Sequence, residues 1–111
     1  FVSLAPWLAF GAQRRELPAS VAPEGTWKRV AEHAAFSPRD TAEGWVYDGR
    51  MWLSNGYYHG GVLNRDLWAS RDGVTWTLIH DATPYDAYSE MVVYKKRIWA
   101  VKSSVWTSMD G

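Results

Sequence analysis

The stretch Trp68-Ala69-Ser70-Arg71-Asp72-Gly73-Val74-Thr75-Trp76 decides how this chain is read, because its parts occur more than once. Its opening, Trp-x-Ser-x-Asp-Gly, returns as Trp106-Thr107-Ser108-Met109-Asp110-Gly111. Its closing pair, Thr75-Trp76, is itself a return of Thr26-Trp27, 49 positions earlier. At the same spacing Val30 is followed by Ile79, and Phe36 by Tyr85. Glu43, Tyr47 and Trp52 come back as Glu90, Tyr94 and Trp99, 47 positions on. The order never breaks, and the shorter spacings place deletions in loops. Self-similarity at a period of ~20–50 residues marks a repeat architecture.

Local patterns divide the repeat into short strands. Residues 43–47 (EGWVY) and 50–54 (RMWLS) flank Asp48-Gly49, a two-residue hairpin turn in which both positions need positive φ. Residues 65–70 (RDLWAS) and 74–79 (VTWTLI) flank Arg71-Asp72-Gly73. The second unit supplies 90–94, 97–102 and 105–108, and 26–30 is predicted as the fourth strand of a preceding unit. Trp and β-branched residues suit pleated, half-buried surfaces. Outside the N-terminal stretch no segment longer than a turn has a 3.6-residue apolar period.

Composition narrows the function classes. The chain has 111 residues, the length of one small domain. Twelve Lys and Arg balance twelve Asp and Glu, which argues against a nucleic-acid partner, since phosphate binding needs a clustered cationic excess. There is no Cys, so disulfides, thiolate metal sites and a Cys nucleophile are excluded. Eight Trp, six Tyr and three Phe fit short aromatic strands joined by turns.

Residues 1–25 stand apart from the repeat. The run 1–12 (FVSLAPWLAFGA) is apolar and stops at Gln13-Arg14-Arg15-Glu16. It is too short for a membrane span, which needs ~20 residues. It reads either as the apolar region of a secretory signal or as an ordinary buried or irregular segment. The first alternative makes an extracytoplasmic or secreted location the expectation. Residues 17–25 (LPASVAPEG) read as a linker.

Four short antiparallel strands every ~50 residues is the spacing of a kelch-type β-propeller blade. The stretch Trp68-x-Ser70-x-Asp72-Gly73-x-Thr75-Trp76 resembles bacterial kelch-like propellers, and it is similar to the Asp-box of sialidase-like propellers. Here the Asp-box is one residue shorter between Asp and Gly, and the kelch diglycine is imperfect, being Asn55-Gly56 in one unit and Val101-Lys102 in the other. The resemblance covers 26–111. It implies an all-β fold of four-stranded antiparallel blades: a partial blade at 26–30, a full blade at 43–79 and a partial blade at 90–111. A closed propeller has about four to eight blades, so the chain is expected to be a fragment completed by further blades of a parent chain.

The repeated residues have structural reasons to recur. Asp72 can accept backbone N–H bonds inside its turn, Gly73 can take positive φ, and Ser70 can add a second local bond. Asp110 and Gly111 repeat these roles. Trp68 and Trp76 are expected to pack between neighbouring sheets, and Trp27, Trp52, Trp99 and Trp106 to mark the same architecture. Only Trp7 and Trp45 fall outside the pattern. A structural Asp72 is preferred over a catalytic acid.

Function is expected at the end opposite the Asp-Gly turns, where ligands usually sit in propellers that this chain resembles. The loops there are 31–42, 55–64 and 80–89, and long loops on a rigid scaffold are where binding concentrates. They carry His33, His59 and His80, together with Asp40, Asp81 and Asp86. The ligand-binding candidates are Arg39, Tyr57, Tyr58, His59, Tyr85 and Tyr88. Tyr57, Tyr58 and His59 could stack on a sugar ring or a peptide side chain, or form a solvated hairpin tip. Arg39 could bind an anion, but in the kelch-like chains that this one resembles an Arg after Pro often packs structurally at the channel end, and that reading is preferred. The spacing of the three His matches no metal-ligand motif, and no metal or cofactor is expected. Glu43 and Glu90 recur, which favours a role in the fold. Lys95-Lys96-Arg97 reads as a basic turn that discourages edge pairing. The resulting expectation is a non-catalytic scaffold binding protein or carbohydrate. The alternative is part of a sialidase-like glycoside hydrolase, for which Arg39, Glu43 and Tyr57 supply residue types without a recognisable constellation.

Overall fold

Antiparallel pairing accounts for every strand that the computed structural model describes, which covers residues 25–111. The expectations for the apolar run and nearly all of the linker lie outside these residues. The described residues are all-β. The first sheet has the order β1 (Glu43–Tyr47), β2 (Arg50–Ser54), β5 (Leu67–Ser70), β6 (Thr77–His80). A small hairpin, β3 (Tyr57–Tyr58) and β4 (Val62–Leu63), branches from its β2–β5 connection. The second sheet runs β7 (Glu90–Tyr94), β8 (Arg97–Val101), β9 (Val105–Ser108). Among the described residues no helix is long and apolar enough to cross a membrane.

Turn chemistry sets the local structure, and it repeats. Asp48 and Gly49 both have positive φ, 51° and 69°, the conformation of the tight primed hairpin turn. In the second unit Lys95 and Lys96 take the same conformation at 52° and 58° without a glycine. The Ser-x-Asp-Gly turns also match. Ser70 Oγ accepts the Gly73 N–H at 2.8 Å, and Ser108 Oγ accepts the Gly111 N–H at 2.9 Å. Asp72 Oδ1 further accepts the N–H groups of Val74 and Thr75, each at 2.8 Å. These bonds hold Val74 and Thr75 in the turn, so β6 begins at Thr77 and not at 74. Likewise β5 begins at Leu67, where the register with β6 shifts.

Alternation along the strands assigns the faces. Trp45 lies opposite Trp52, and Trp52 opposite Ala69, so these three share one face of the first sheet. Val46, Met51, Leu53 and Trp68 lie on the other. In the second sheet Met91 lies opposite Ala100, and Ala100 opposite Trp106. This face covers the indole face of the first sheet. The core joins Trp52, Leu67 and Ala69 to Ile98, with Trp45, Tyr47, Ile79 and Met91 packed around it. Trp45 and Trp52 stack with centroids 6.3 Å apart and planes 9° from parallel. An indole that buries ~200 Å² contributes several kcal/mol at ~25 cal/mol per Å². Gly111 sits against the Trp52 ring, where any Cβ would overlap it. The Tyr47 hydroxyl crosses between units, within 2.6 Å of the Met109 carbonyl and 2.9 Å of the Lys96 carbonyl.

Two expectations are corrected by these positions. Trp68 and Trp76 do not lie between the two sheets. They sit on the far face of the first sheet beneath Phe36, with centroids 6.1 and 5.1 Å from it; the indoles between the two described sheets are Trp52 and Trp45 from the first and Trp106, the counterpart of Trp68, from the second. Two-residue periodicity tells which residues share a face but not which face a neighbour covers. Residues 26–30 are not a strand, and Trp27 is 99% exposed. A strand needs a ladder partner for its N–H and C=O groups, and none of the described strands flanks that segment.

Candidate functional site

Three connections meet at the end of the sheets opposite the Asp-Gly turns: β2 to β5, β6 to β7, and β8 to β9. Below them lies a buried polar clamp. The Arg39 guanidinium forms a two-pronged ion pair with Asp66, with Nη2 donating to Oδ2 at 3.0 Å. Its remaining donors reach the Ser37 carbonyl at 3.1 Å, the Ser37 hydroxyl at 3.0 Å and the Asn55 carbonyl at 3.2 Å. Only 2% of the Arg39 side chain is exposed. Burial pushes the Asp66 carboxyl up, but hydrogen bonds from Arg39 and Trp68, with the Arg39 charge, outweigh it and hold it below the usual range. The Trp68 Nε1 bond to Asp66 measures 2.7 Å.

The clamp also joins the two units. Asn55, fully buried with φ 66°, donates from Nδ2 to the Ser89 carbonyl at 2.8 Å. The Gly56 N–H reaches the Ala87 carbonyl at 3.3 Å. Gly56 has φ 111°, and a Cβ there would lie 2.7 Å from the Asp40 carbonyl oxygen. This explains why Gly follows Asn at a place where a flexible tip would tolerate any residue. The Tyr85 hydroxyl donates to Ser54 Oγ at 3.2 Å, and burial pushes its pKa up.

The six sequence candidates therefore separate. Arg39 and Tyr85 are internal: their polar atoms already bond to the protein, and they hold the loops in place. Tyr57, Tyr58, His59 and Tyr88 form the outer part. Tyr57 and Tyr58 are 37% and 39% exposed on β3, and Tyr58 meets the His59 ring edge-on at 6.4 Å. The hairpin tip is Gly60-Gly61, with φ 90° and 89° and open space around both. Tyr88 is half-exposed, and Lys102 Nζ lies 5.2 Å from its ring centroid. Lys102 also pairs with Asp86 at 3.0 Å, and Asp86 accepts the Tyr88 N–H at 2.9 Å. The Tyr88 N–H and then Lys102 lower the Asp86 carboxyl. The Gly56–Ala87 bond sets Tyr57 and Tyr88 each one residue from a shared contact.

This rim offers aromatic faces, one cation and several hydroxyls, the chemistry of stacking and hydrogen bonding. Asp66, Asn55, Ser54 and Ser89 are site residues that sequence reasoning missed. The pairing of Asp66 with Trp68 two positions on was the one available signal. Asp72 accepts bonds from Thr75, Val74 and Ser70, which hold its carboxyl low, as a turn residue would be. Among the described residues no group of three or more His, Asp or Glu converges to hold a metal ion. Comparison of the chain with protein-family models, with curated proteins and with solved structures gives no match.

Proposed function

We propose that this chain is part of a kelch-like β-propeller and acts as a non-catalytic scaffold that binds protein or carbohydrate through its loop end. The observation that carries this reading is the contrast within the site. Tyr57, Tyr58, His59 and Tyr88 are exposed, while Arg39, Asp66 and Asn55 beneath them are engaged in hydrogen bonds with the protein. Large rigid aromatic faces at low entropic cost suit stacking on sugar rings or peptide side chains. The four-stranded unit and its three-stranded repeat support the blade assignment, with further blades of a parent chain completing the ring.

Catalysis of the sialidase-like kind finds less support. It needs arginines free to bind a carboxylate, and Arg39 is engaged by Asp66, Ser37 and Asn55. The test is a glycan array and a peptide array probed with the wild-type protein and with Tyr57→Ala and Tyr58→Ala variants. Binding lost at least tenfold in either variant is the expected result. Turnover of a sialoside substrate would overturn the non-catalytic reading, and blank arrays would overturn the binding reading.

A further inference from the structure

The loop end already shows how this chain holds a cation. Lys102 Nζ lies over the Tyr88 ring, 5.2 Å from its centroid, and pairs with Asp86 Oδ1 at 3.0 Å. The same Asp86 oxygen accepts the Tyr88 N–H at 2.9 Å, which keeps carboxylate and ring together. One ammonium is thus shared between a tyrosine face and an aspartate. The ring attracts it through its negative face, and the carboxylate through its charge.

A second aspartate and tyrosine stand together at this end without a cation. Asp40 and Tyr57 form an antiparallel bridge, each N–H donating to the other's carbonyl at 3.0 Å. Residues directly opposite in such a bridge put their side chains on the same face, with Cβ atoms ~4.5–5.5 Å apart. Tyr57 is also opposite Leu63 of β4, so Asp40, Tyr57 and Leu63 form one row. All three are exposed, Tyr57 at 37% and Leu63 at 52%. The Asp40 carboxylate accepts the Thr41 hydroxyl at 3.4 Å, and no cation pairs with it among the described residues. Arg39, its chain neighbour, does not neutralise it, because that guanidinium is buried against Asp66.

Two features fix this row. A Cβ at Gly56 would lie 2.7 Å from the Asp40 carbonyl oxygen, so a side chain at 56 would push the bridge apart. Thr41 is β-branched and is held at φ 54°, a costly conformation that persists only where the surroundings impose it. The row belongs wholly to the loops 31–42 and 55–64. Its order of carboxylate, ring and aliphatic flank matches a long cationic side chain, with the charged head at Asp40 and the apolar stem along Tyr57 and Leu63. A sugar ring would find a single carboxylate beside an aliphatic flank, a poor match for its several hydroxyls. Resting on the binding reading above, we infer that Asp40 and Tyr57 form a site for a lysine or arginine side chain of a partner protein, held as Lys102 is held by Asp86 and Tyr88.

Amide NMR of the full chain, titrated with N-acetyl-lysine amide, tests this. The Asp40 and Tyr57 amides are expected to shift. The Nε-acetylated form of the probe, which carries no charge, should leave them in place. Asp40→Asn keeps both backbone bonds, so it should leave the circular dichroism unchanged and weaken binding about threefold or more, the loss of an exposed ion pair. Tyr57→Leu should weaken it by a similar factor through the lost ring contact. Lys102→Ala supplies a gain: it vacates the Asp86–Tyr88 pair, so the Tyr88 amide should shift with the probe in this variant and not in the wild type. No shift at Asp40 and Tyr57, an equal response to the acetylated probe, unchanged affinity in Asp40→Asn, or a silent Tyr88 in Lys102→Ala would each overturn the inference. The arrays separate it from the broader reading. Array binding without the lysine-dependent shift refutes this site alone. Blank arrays beside a lysine-dependent shift count against the broader reading and leave the site standing.

Discussion

The hairpins β1–β2 and β7–β8 have the same register, the same positive-φ turn and the same indole-to-carbonyl bond, yet their tryptophans differ in environment. Trp52 is 3% exposed beneath the second sheet, while Trp99 faces outward and is only partly covered. The first unit also centres on a buried ion pair, Arg39–Asp66. In the second unit the position of Asp66 is Ser104, and the nearby pair is the exposed Lys102–Asp86. Local bonds are therefore properties of each unit, whereas burial is a property of its neighbour. Energies should follow the neighbour.

The largest break in the comparison should come from the two tryptophans. By chemical denaturation of dilute protein, Trp52→Ala is expected to cost ~3–5 kcal/mol, the range for emptying a packed aromatic site. Trp99→Ala should cost ~1–2 kcal/mol, as a partly buried ring. Equal losses would remove the distinction between covered and open indole faces. Arg39→Ala should cost ~3–5 kcal/mol, because it leaves Asp66 partly buried without its cation. Lys102→Ala should cost under ~1 kcal/mol, the usual value of an exposed pair.

Acid sharpens the ion-pair comparison. Asp66 holds its proton less tightly when folded than its ordinary value of ~3.9. A carboxyl lowered by folding contributes stability that is complete above that ordinary value. The contribution disappears as pH falls through the lowered one. Stability of the wild-type protein should therefore drop across this acid range, and part of that drop should vanish in Arg39→Ala. Identical acid profiles would show that the pair does not set them.

Turns should give the smallest differences. Lys96→Gly relieves a side chain held at φ 58° and should raise stability by ~0.5–1 kcal/mol. Gly49→Lys makes the reverse change in the first unit and should lower stability by a similar ~1 kcal/mol. Asp72→Ala should lower the melting temperature more than Asp110→Ala. Asp72 accepts two backbone N–H groups beyond its serine bond, and Asp110 accepts only the serine bond among the described residues.

What was legible in the sequence follows the same division. Strand positions, the Asp48-Gly49 turn and the Ser70-Asp72-Gly73 bonds depend on neighbours within a few positions, and residue type with spacing specifies them. Gly60-Gly61 announces the turn of the hairpin whose first strand carries Tyr57 and Tyr58. The partners of Arg39 and Tyr85 were not legible, although a structural role for Arg39 was the preferred reading, because each partner lies far along the chain: Asp66 for one, Ser54 for the other. The depth of Trp27 was illegible for a related reason. An aromatic residue with a strand pattern stays exposed when no strand lies alongside.

The two unlike faces of each unit bear on how such a chain lengthens over generations. A protein with a single closed core cannot accept another sheet without redesigning what it already packs. Here an in-frame duplication of roughly 50 residues would bring one half of each of two interfaces, both already complementary to what stands on either side. Lengthening needs no compensating substitution in the older units, and their loop ends stay free to diverge.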